Sequence, residues 1–202
     1  MSLFPLFLKL DGRRCLVVGA GNVAQSKIRS LLDSGANVRV IAPEANAVVK
    51  EWASAGVIKW EPRNFEAADL DGTVLVIAAT SSSAVNGTVF REAQQRNVLC
   101  NAVDDPEHCD FYYGAVVRRG QLQVAISTEG KSPALAQRIR RELEAQFGPE
   151  YEGWVEELGQ IREKLFASDI EPEGRRQLLH ELASRDAFAA TQSQPREKSY
   201  GR

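Results

Sequence analysis

A short glycine motif near the amino terminus constrains the fold of this chain more than any other feature. Gly19-Ala-Gly-Asn-Val-Ala24 follows an apolar run and opens a helical pattern. Glycine at Gly19 allows a tight turn, glycine at Gly21 lets a phosphate approach the backbone, and alanine at Ala24 lets the helix pack closely on the strand. The helix N-terminus favours negative charge. We therefore expect a dinucleotide to bind at this turn; the alternative is a packing turn without a ligand.

The first hundred residues alternate between short apolar runs and helical stretches. The predicted strands are Cys15–Val18, Asn37–Ala42, Val57–Glu61, Thr73–Ala79 and Val98–Val103. The predicted helices are Val23–Leu32, Glu44–Ala55 and Ala84–Arg96, with Gly35 and Gly56 placed to end the first two. Thr73–Ala79 is apolar at nearly every position, as in a parallel strand buried on both faces. This alternation predicts an α/β fold, a Rossmann-like doubly wound parallel sheet.

The pattern changes after about residue 110. Phe111–Arg118 and Gln121–Thr128 are β-type runs joined by Arg119-Gly120, which indicates a hairpin. Ser132 and Pro133 suit the start of a helix, and apolar stripes indicate two further helices. The predicted division is a dinucleotide-binding domain at 1–112, a small α+β dimerisation and substrate region at 113–147, a C-terminal helical region at 148–190, and a disordered tail at 191–202.

Composition and charge exclude several classes of function. The net charge of −2 gives no overall attraction to nucleic acid or to acidic lipid. No apolar run is long enough to cross a bilayer and no leader pattern is present, so we expect a cytoplasmic protein. The three cysteines are irregularly spaced, and the two histidines are too far apart to indicate a triad or a metal cluster. We therefore expect no metal site.

Two polar segments follow the fourth and fifth predicted strands, at the edge where such sheets bind ligands. The first runs from Ala79 to Ser83 and includes Thr80; the second is Asn101-Ala-Val-Asp-Asp-Pro106. A carboxylate beside a nicotinamide could accept a proton as hydride departs. From position alone, either Asp104 or Asp105 could serve, and either could instead form the turn before Pro106.

A third segment, Ser127-Thr-Glu-Gly-Lys-Ser-Pro133, combines hydroxyl groups, Lys131 and the start of a helix. Such a loop is suited to receiving an anion. Arg118 lies in the preceding hairpin and Arg138 on the following helix, so a basic substrate-binding surface is one interpretation. A solvated basic helix face is the other.

Taken together, these segments resemble the precorrin-2 dehydrogenase family, the N-terminal module of sirohaem synthases and its stand-alone relatives. The resemblance rests on residues 12–44, 77–86, 100–106 and 124–144, in the family's order and spacing. It implies oxidation of precorrin-2 to sirohydrochlorin with NAD by a homodimer, and it assigns the key aspartate to Asp104. Implied cofactor contacts are Gly19, Gly21, Asn22, Val23, Pro43, Glu44, Thr80, Asn101 and Val103. Implied substrate contacts are Ser127, Thr128, Lys131 and Ser132.

The resemblance has departures and leaves alternatives. Glycine is common where Glu129 stands and proline where Gly114 stands. Some family members also insert ferrous iron into sirohydrochlorin, so a bifunctional dehydrogenase and ferrochelatase is one alternative; a non-catalytic NAD-sensing domain is another. Ile41 and Ala42 stand where a carboxylate for the adenosine ribose is expected, and no arginine stands there for a 2′-phosphate. The sequence therefore favours NAD over NADP only mildly.

Overall fold

A computed structural model describes residues 3–193 and divides the chain into two compact units, Met1–Tyr112 and Tyr113–Arg202. The strands are β1 (Arg14–Val18), β2 (Asn37–Ile41), β3 (Lys59–Glu61), β4 (Leu75–Ala78), β5 (Leu99–Ala102), β6 (Ala115–Arg119) and β7 (Leu122–Ile126). The helices are α1 (Asn22–Leu32), α2 (Ala47–Ser54), α3 (Ser83–Gln95), α4 (Pro133–Gln146), α5 (Glu150–Phe166), α6 (Pro172–Leu182) and α7 (Arg185–Ser193). Two single-turn 3-10 helices span Ala67–Leu70 and Pro106–His108.

In the first unit, five parallel strands form one sheet in the order β3-β2-β1-β4-β5. This arrangement confirms the predicted Rossmann-like fold. The chain runs outward from β1 to β3 and then returns to β4 on the other side of β1. Ligands of such sheets bind where the strand order reverses, outside the carboxyl ends of the strands. The carboxyl ends of β1 and β4 therefore mark the expected binding edge.

Both faces of this sheet are covered by apolar side chains. Val17 and Ile77 belong to a buried cluster on one face, and Leu16 and Val76 to a cluster on the other. All four residues of β4 are buried, which confirms the strand predicted to be covered on both sides. The glycines expected to end α1 and α2 adopt left-handed backbone conformations, with φ of +74° at Gly35 and +71° at Gly56.

The second unit begins with the antiparallel pair β6 and β7, followed by four helices. Among its described residues, the buried apolar ones are Ala115, Val117 and Ala136, which lie on β6 and α4. The Arg119 guanidinium donates hydrogen bonds to the carbonyl groups of Glu144 and Phe147, at 3.0 and 2.8 Å. Because the last carbonyls of a helix lack partners within it, this arginine caps the carboxyl end of α4.

Several predicted boundaries differ from the structure by one to four residues, the largest difference being that β6 begins at Ala115 rather than Phe111. Three of the differences have a clear cause. Helix α2 begins at Ala47 rather than Glu44, because the Asn46 side chain accepts the N–H of Val49 at 2.9 Å and caps the helix. Strand β3 begins at Lys59 rather than Val57, because the N–H groups of residues 57 and 58 bond to the Trp52 carbonyl at the end of α2. The hairpin turn lies one residue later than predicted, since Arg119 pairs with Leu122.

The predicted disordered tail also begins too early. Helix α7 continues to Ser193, and the Thr191 hydroxyl donates to the carbonyl of Phe188 at 2.7 Å. The Phe188 ring lies 4.5 Å from that of Tyr151 and 4.6 Å from that of Trp154, so an aromatic cluster packs α7 onto α5. The rest of the predicted tail, 194–202, lies outside the described residues.

Candidate active site

Gly19 stands at the carboxyl end of β1, where the strand order reverses. Its φ of +111° is one that residues with a side chain rarely adopt, and its N–H donates to the Ile41 carbonyl at 2.9 Å. A Cβ atom at this position would overlap the carbonyl group of Ala79 at the end of β4. Glycine is therefore required for the turn to lie this close to the neighbouring strand.

Gly21 serves a different purpose from Gly19. It occupies the N-cap of α1 in an extended conformation, and a Cβ added there would meet no protein atom within 4 Å. The N–H groups of the first helical turn have no carbonyl partners within the helix and are not capped by a side chain. Ala24, fully buried, packs the helix against the sheet. The predicted pyrophosphate-binding turn fits a dinucleotide, because the space above the N-terminus of α1 is open. The dipole of α1 also favours an anion at that end.

The loop after β2 carries Pro43 and Glu44, both exposed. Glu44 is therefore a loop residue at the carboxyl edge of the sheet, rather than part of α2 as predicted. Asn46, which sequence reasoning missed, ties this loop to the glycine turn. Its N–H donates to the Ala20 carbonyl at 3.1 Å, and its side-chain amide donates to Asn22 Oδ1 at 3.2 Å.

Thr80 begins the loop after β4. Its hydroxyl lies 2.7 Å from Oδ1 of Asn86, and its carbonyl accepts the Asn86 amide at 3.2 Å. Asn86 is buried on α3, and the N-cap of this helix is Ser82, whose hydroxyl accepts the Val85 N–H at 3.3 Å. These bonds hold the backbone of the loop in place. The predicted contact between Thr80 and the cofactor stays a prediction.

The two remaining cofactor contacts that the family resemblance implies, Asn101 and Val103, lie at the end of β5. Asn101 is buried, and its amide donates to the Phe111 carbonyl at 2.8 Å and to Cys109 Sγ at 3.3 Å. That side chain therefore holds the following segment against the sheet. Val103 is half-buried, and its N–H donates to the Ala78 carbonyl at 2.9 Å, which extends the ladder between β4 and β5.

The two neighbouring aspartates of the following turn differ in environment. Asp104 is exposed, with a left-handed backbone at φ +61°, and the N–H of Asp105 closes the turn on the Ala102 carbonyl at 3.2 Å. Asp105 places its carboxylate 2.7 Å from Nδ1 of His108. A non-glycine residue in this conformation is uncommon and strained, and such strain is concentrated at functional sites.

Lys27, on α1, is a second residue that sequence reasoning missed. Burial lowers the pKa of its ammonium group, and the negative charge of Asp104 acts in the opposite direction. The negative charge of Asp104, the aspartate predicted to be catalytic, thus acts on a lysine of α1. Its position three residues after Ala24 was the available signal, because residues three apart share a helix face.

The second unit holds the predicted substrate loop, Ser127–Pro133. Hydroxyl oxygens of Ser127, Thr128 and Ser132 accept the N–H groups of residues 129, 132 and 135, at 3.1, 3.1 and 3.3 Å. The same hydroxyls can still donate to a carboxylate. Glu129 has φ +51°, which explains why glycine suits this position. Ser132 caps α4 and Pro133 is its first residue, as predicted.

The three basic residues assigned to substrate also belong to this unit. Lys131 is exposed in the loop itself. Arg138, also exposed, forms an ion pair with Glu142 at 3.3 Å, and Arg118 reaches Gln123 Oε1 at 3.4 Å. Lys131 is therefore the strongest candidate of the three for receiving an anion. Ion pairs between exposed groups are weak, so Arg138 can exchange its partner for a ligand.

Thiol chemistry finds little support in the part of the chain that the structure describes. Burial raises the pKa of Cys15 to about 11 and of Cys100 to about 12, so both stay protonated at neutral pH. Burial also raises the pKa of Cys109. Within residues 3–193, no three metal-ligating side chains cluster, and no helix is both long and apolar enough to span a membrane.

Comparison with known proteins places these features in families. Residues 6–115, more than half of the chain, match the family model described as "Putative NAD(P)-binding". Residues 119–146 match a second model, described as "Sirohaem biosynthesis protein central". The two matches meet near the boundary between the two compact units.

Two relatives of similar sequence are siroheme synthases. A siroheme synthase of Methylococcus capsulatus is 40% identical over 176 residues, 87% of this chain and 37% of that protein. One of Photobacterium profundum is 40% identical over 183 residues, 90% of this chain and 39% of that protein. The chain thus spans well under half the length of these relatives.

A solved structure of SirC, precorrin-2 dehydrogenase, matches with a TM-score of 0.79 at 28% identity and covers 91% of each chain. The resemblance inferred from the sequence is confirmed by these matches. With its glycine turn at the reversal of strand order and the family model over residues 6–115, the chain belongs to the NAD(P)-binding family of that model.

Proposed function

We propose that this chain is an NAD-dependent dehydrogenase that oxidises precorrin-2 to sirohydrochlorin in sirohaem biosynthesis. The observation that carries the proposal is the match to SirC, precorrin-2 dehydrogenase, over 91% of both chains. The relatives named siroheme synthase support the same pathway. The open N-terminus of α1 at the reversal point supplies the cofactor site that such a reaction needs.

In the proposed reaction the first unit binds the cofactor and accepts a proton, and the second unit binds the substrate. NAD held at the glycine turn would supply a hydride acceptor, and the substrate also loses a proton as a new double bond forms. Gly19 and Gly21 shape the turn that binds the pyrophosphate. Asp104 accepts the proton and offsets the positive charge that develops on the macrocycle. The loop Ser127–Pro133 binds substrate carboxylates through its hydroxyls and Lys131.

The preference for NAD over NADP follows from charges near the ends of β2 and β3. Arg39 and Arg63, the arginines of this region, both bind carboxylates. Arg39 contacts Glu61 and Asp69, each at 2.9 Å, and Arg63 contacts Glu61 at 2.8 Å. Two arginines neutralised in this way are poorly suited to binding a 2′-phosphate. Glu44, exposed in the loop after β2, would accept a ribose hydroxyl instead.

We further propose that the active form is a homodimer, built through the second unit. Support comes from apolar side chains that remain exposed on its hairpin and first helix, Val116 and Leu135 among them. A unit with few buried apolar residues gains stability from a partner. Sedimentation at micromolar concentration is expected to show a dimer, and a monomer alone would refute this step.

The three cysteines are free thiols, which supports a reducing cytoplasmic location.

The test of the proposed function is direct. The purified chain is mixed with precorrin-2 and either NAD or NADP, and reduced cofactor is followed by its absorbance. We expect NADH to form in step with sirohydrochlorin, and a much lower rate with NADP. Failure of both cofactors to be reduced by a folded protein would overturn the proposal.

A further inference from the structure

The loop after β4 forms one wall of the glycine turn and lies very close to it. A Cβ atom at Gly19 would overlap the Ala79 carbonyl and would lie 3.2 Å from the backbone nitrogen of Thr80. The N–H of Ala79 donates to the Val18 carbonyl at 2.8 Å, and this bond fixes the start of the loop to β1. The next residue, Thr80, is held differently, by a side chain that comes from α3.

That side chain is Asn86, and it binds all three polar groups of Thr80. Its Oδ1 atom accepts the backbone N–H at 3.2 Å and the hydroxyl at 2.7 Å. Its amide group donates to the Thr80 carbonyl at 3.2 Å. A backbone N–H can only donate and a carbonyl can only accept, so these two partners fix which way the Asn86 amide faces. One side chain therefore sets both the backbone and the hydroxyl of Thr80.

The position of Asn86 on α3 indicates that its amide serves the loop rather than the packing of the helix. Asn86 is 5% exposed, and the other buried residues of α3 are apolar: Gly87, Val89 and Ala93. Residues three and four apart share a helix face, so Asn86 stands in line with Val89 and Ala93. Burying an amide is costly unless it is hydrogen-bonded, and here its bonds go to Thr80.

We propose that Asn86 is a positioning residue for the cofactor, which holds Thr80 beside the glycine turn in the conformation that NAD binds. This inference rests on the proposed function, because it takes the glycine turn as the NAD site. Without the Asn86 amide, the N–H and carbonyl of Thr80 lose their partners and the loop is free to move away from Gly19. A ligand binds only those molecules in which its site is formed, so the apparent affinity falls with their fraction.

Two substitutions remove the contacts of Asn86 in different ways. Asn86→Ala removes all three bonds. Asn86→Asp keeps the shape of the side chain but turns an oxygen atom toward the Thr80 carbonyl, and the two oxygens repel each other. Calorimetry should show NAD binding weakened by about tenfold in Asn86→Ala, as for a loop that is in place about a tenth of the time, and by about threefold or more in Asn86→Asp. Asn86→Asp supplies the test if Asn86→Ala does not fold.

Val89→Ala is the matched control for a loss of stability. It leaves a cavity under α3, one turn from Asn86, and keeps the bonds to Thr80. Urea denaturation should show that Val89→Ala and Asn86→Ala are both less stable than the wild type. NAD affinity should nevertheless stay at the wild-type value in Val89→Ala. If Val89→Ala weakens NAD binding as much as Asn86→Ala does, the role of Asn86 is structural only and the inference is wrong.

Calorimetry needs no precorrin-2, so this inference and the proposed function fail separately. If NAD binding weakens in the Asn86 variants while the wild type oxidises no precorrin-2, the proposed function fails and the inference stands. In an active enzyme, KM for NAD should rise in both variants while KM for precorrin-2 is unchanged. Wild-type NAD affinity in either folded Asn86 variant would overturn the inference, whatever the activity.

Discussion

The Nδ1 atom of His108 lies 2.7 Å from Oδ2 of Asp105, and this contact distinguishes two adjacent aspartates that the sequence could not separate. The His108 ring also meets Phe90 edge-on, with ring centroids 5.0 Å apart. Asp105 is thus tied to the single-turn helix that follows it and, through His108, to α3. Asp104 is exposed, and its negative charge acts on Lys27 of α1. One carboxylate stabilises the turn, and the other is available for chemistry.

Asp105→Ala is expected to cost stability rather than chemistry. Loss of a half-buried hydrogen bond to a charged group costs about 1.5–3 kcal/mol, which urea denaturation can resolve. His108→Ala should give a similar loss, and the double variant should lose less than the sum, because both changes remove one contact. Wild-type stability in Asp105→Ala would show that the contact contributes nothing.

Gly19 and Gly21 should respond oppositely to substitution. Gly19→Ala places a Cβ against the Ala79 carbonyl at a φ of +111°, so it should unfold the first unit at lower denaturant concentration. At Gly21 an added Cβ meets no protein atom within 4 Å, so Gly21→Val should retain the fold while its side chain obstructs the pyrophosphate. Calorimetry should show NAD binding weakened by at least about tenfold, or 1.4 kcal/mol. Unchanged NAD affinity in folded Gly21→Val would place the cofactor elsewhere.

Acid should destabilise the first unit through its arginine–carboxylate network. Hydrogen bonds from Arg39 and Lys59 hold the pKa of Glu61 far below its usual range. Burial raises the pKa of Asp69, but hydrogen bonds from Arg63 and the Glu66 backbone outweigh it, and the net shift is downward.

Both carboxylates therefore bind protons more weakly in the folded state than in the unfolded state. Their stabilisation is complete above the unfolded pKa of about 4 and is lost as the pH falls below it. Urea midpoints measured from about pH 7 to about pH 3 should decline in acid, and less steeply in Glu61→Gln. Equal slopes in the two proteins would contradict the role of Glu61.

The parts of the structure that were predictable from sequence are those that local patterning encodes. Thr73–Ala79 is buried because it is apolar throughout, and the turn at Gly19 follows from glycine spacing. The network of ion pairs around Asp69 depends on residues up to 30 positions apart, and no local sequence pattern predicts it. Helix α7 lies mostly within the predicted helical region 148–190, but its end was assigned to the tail because its packing depends on Phe188 meeting aromatic rings of α5, a tertiary contact.

In the candidate site, too, locally patterned features were predictable and features that depend on tertiary contacts were not. Its backbone turn was predictable, but Asn46 acts through hydrogen bonds to the glycine turn, and Lys27 interacts electrostatically with Asp104 on a distant segment. The sequence pattern alone predicts only that both residues lie in helices.

Charge reversal at Lys131 should affect the substrate and spare the cofactor. Lys131→Glu adds a negative charge to the loop proposed to bind substrate carboxylates, so KM for precorrin-2 should rise by about tenfold or more while KM for NAD is unchanged. Lys164→Glu, at an exposed position on α5 of the same unit, is the matched control for net charge. Equal increases in both Michaelis constants, or the same effect from Lys164→Glu, would refute the assignment.

The account's central claim is that Asp104 accepts the proton when precorrin-2 passes hydride to NAD. The most direct measurement is the rate of NADH formation by Asp104→Ala, compared with the wild type and with Asp105→Ala at a temperature where all three are folded. General acid–base catalysis contributes about 10²- to 10⁴-fold, so turnover of Asp104→Ala should fall within that range with NAD affinity nearly unchanged. Asp105→Ala should stay close to the wild-type rate. Near-normal turnover in Asp104→Ala, together with a loss in Asp105→Ala, would contradict the account.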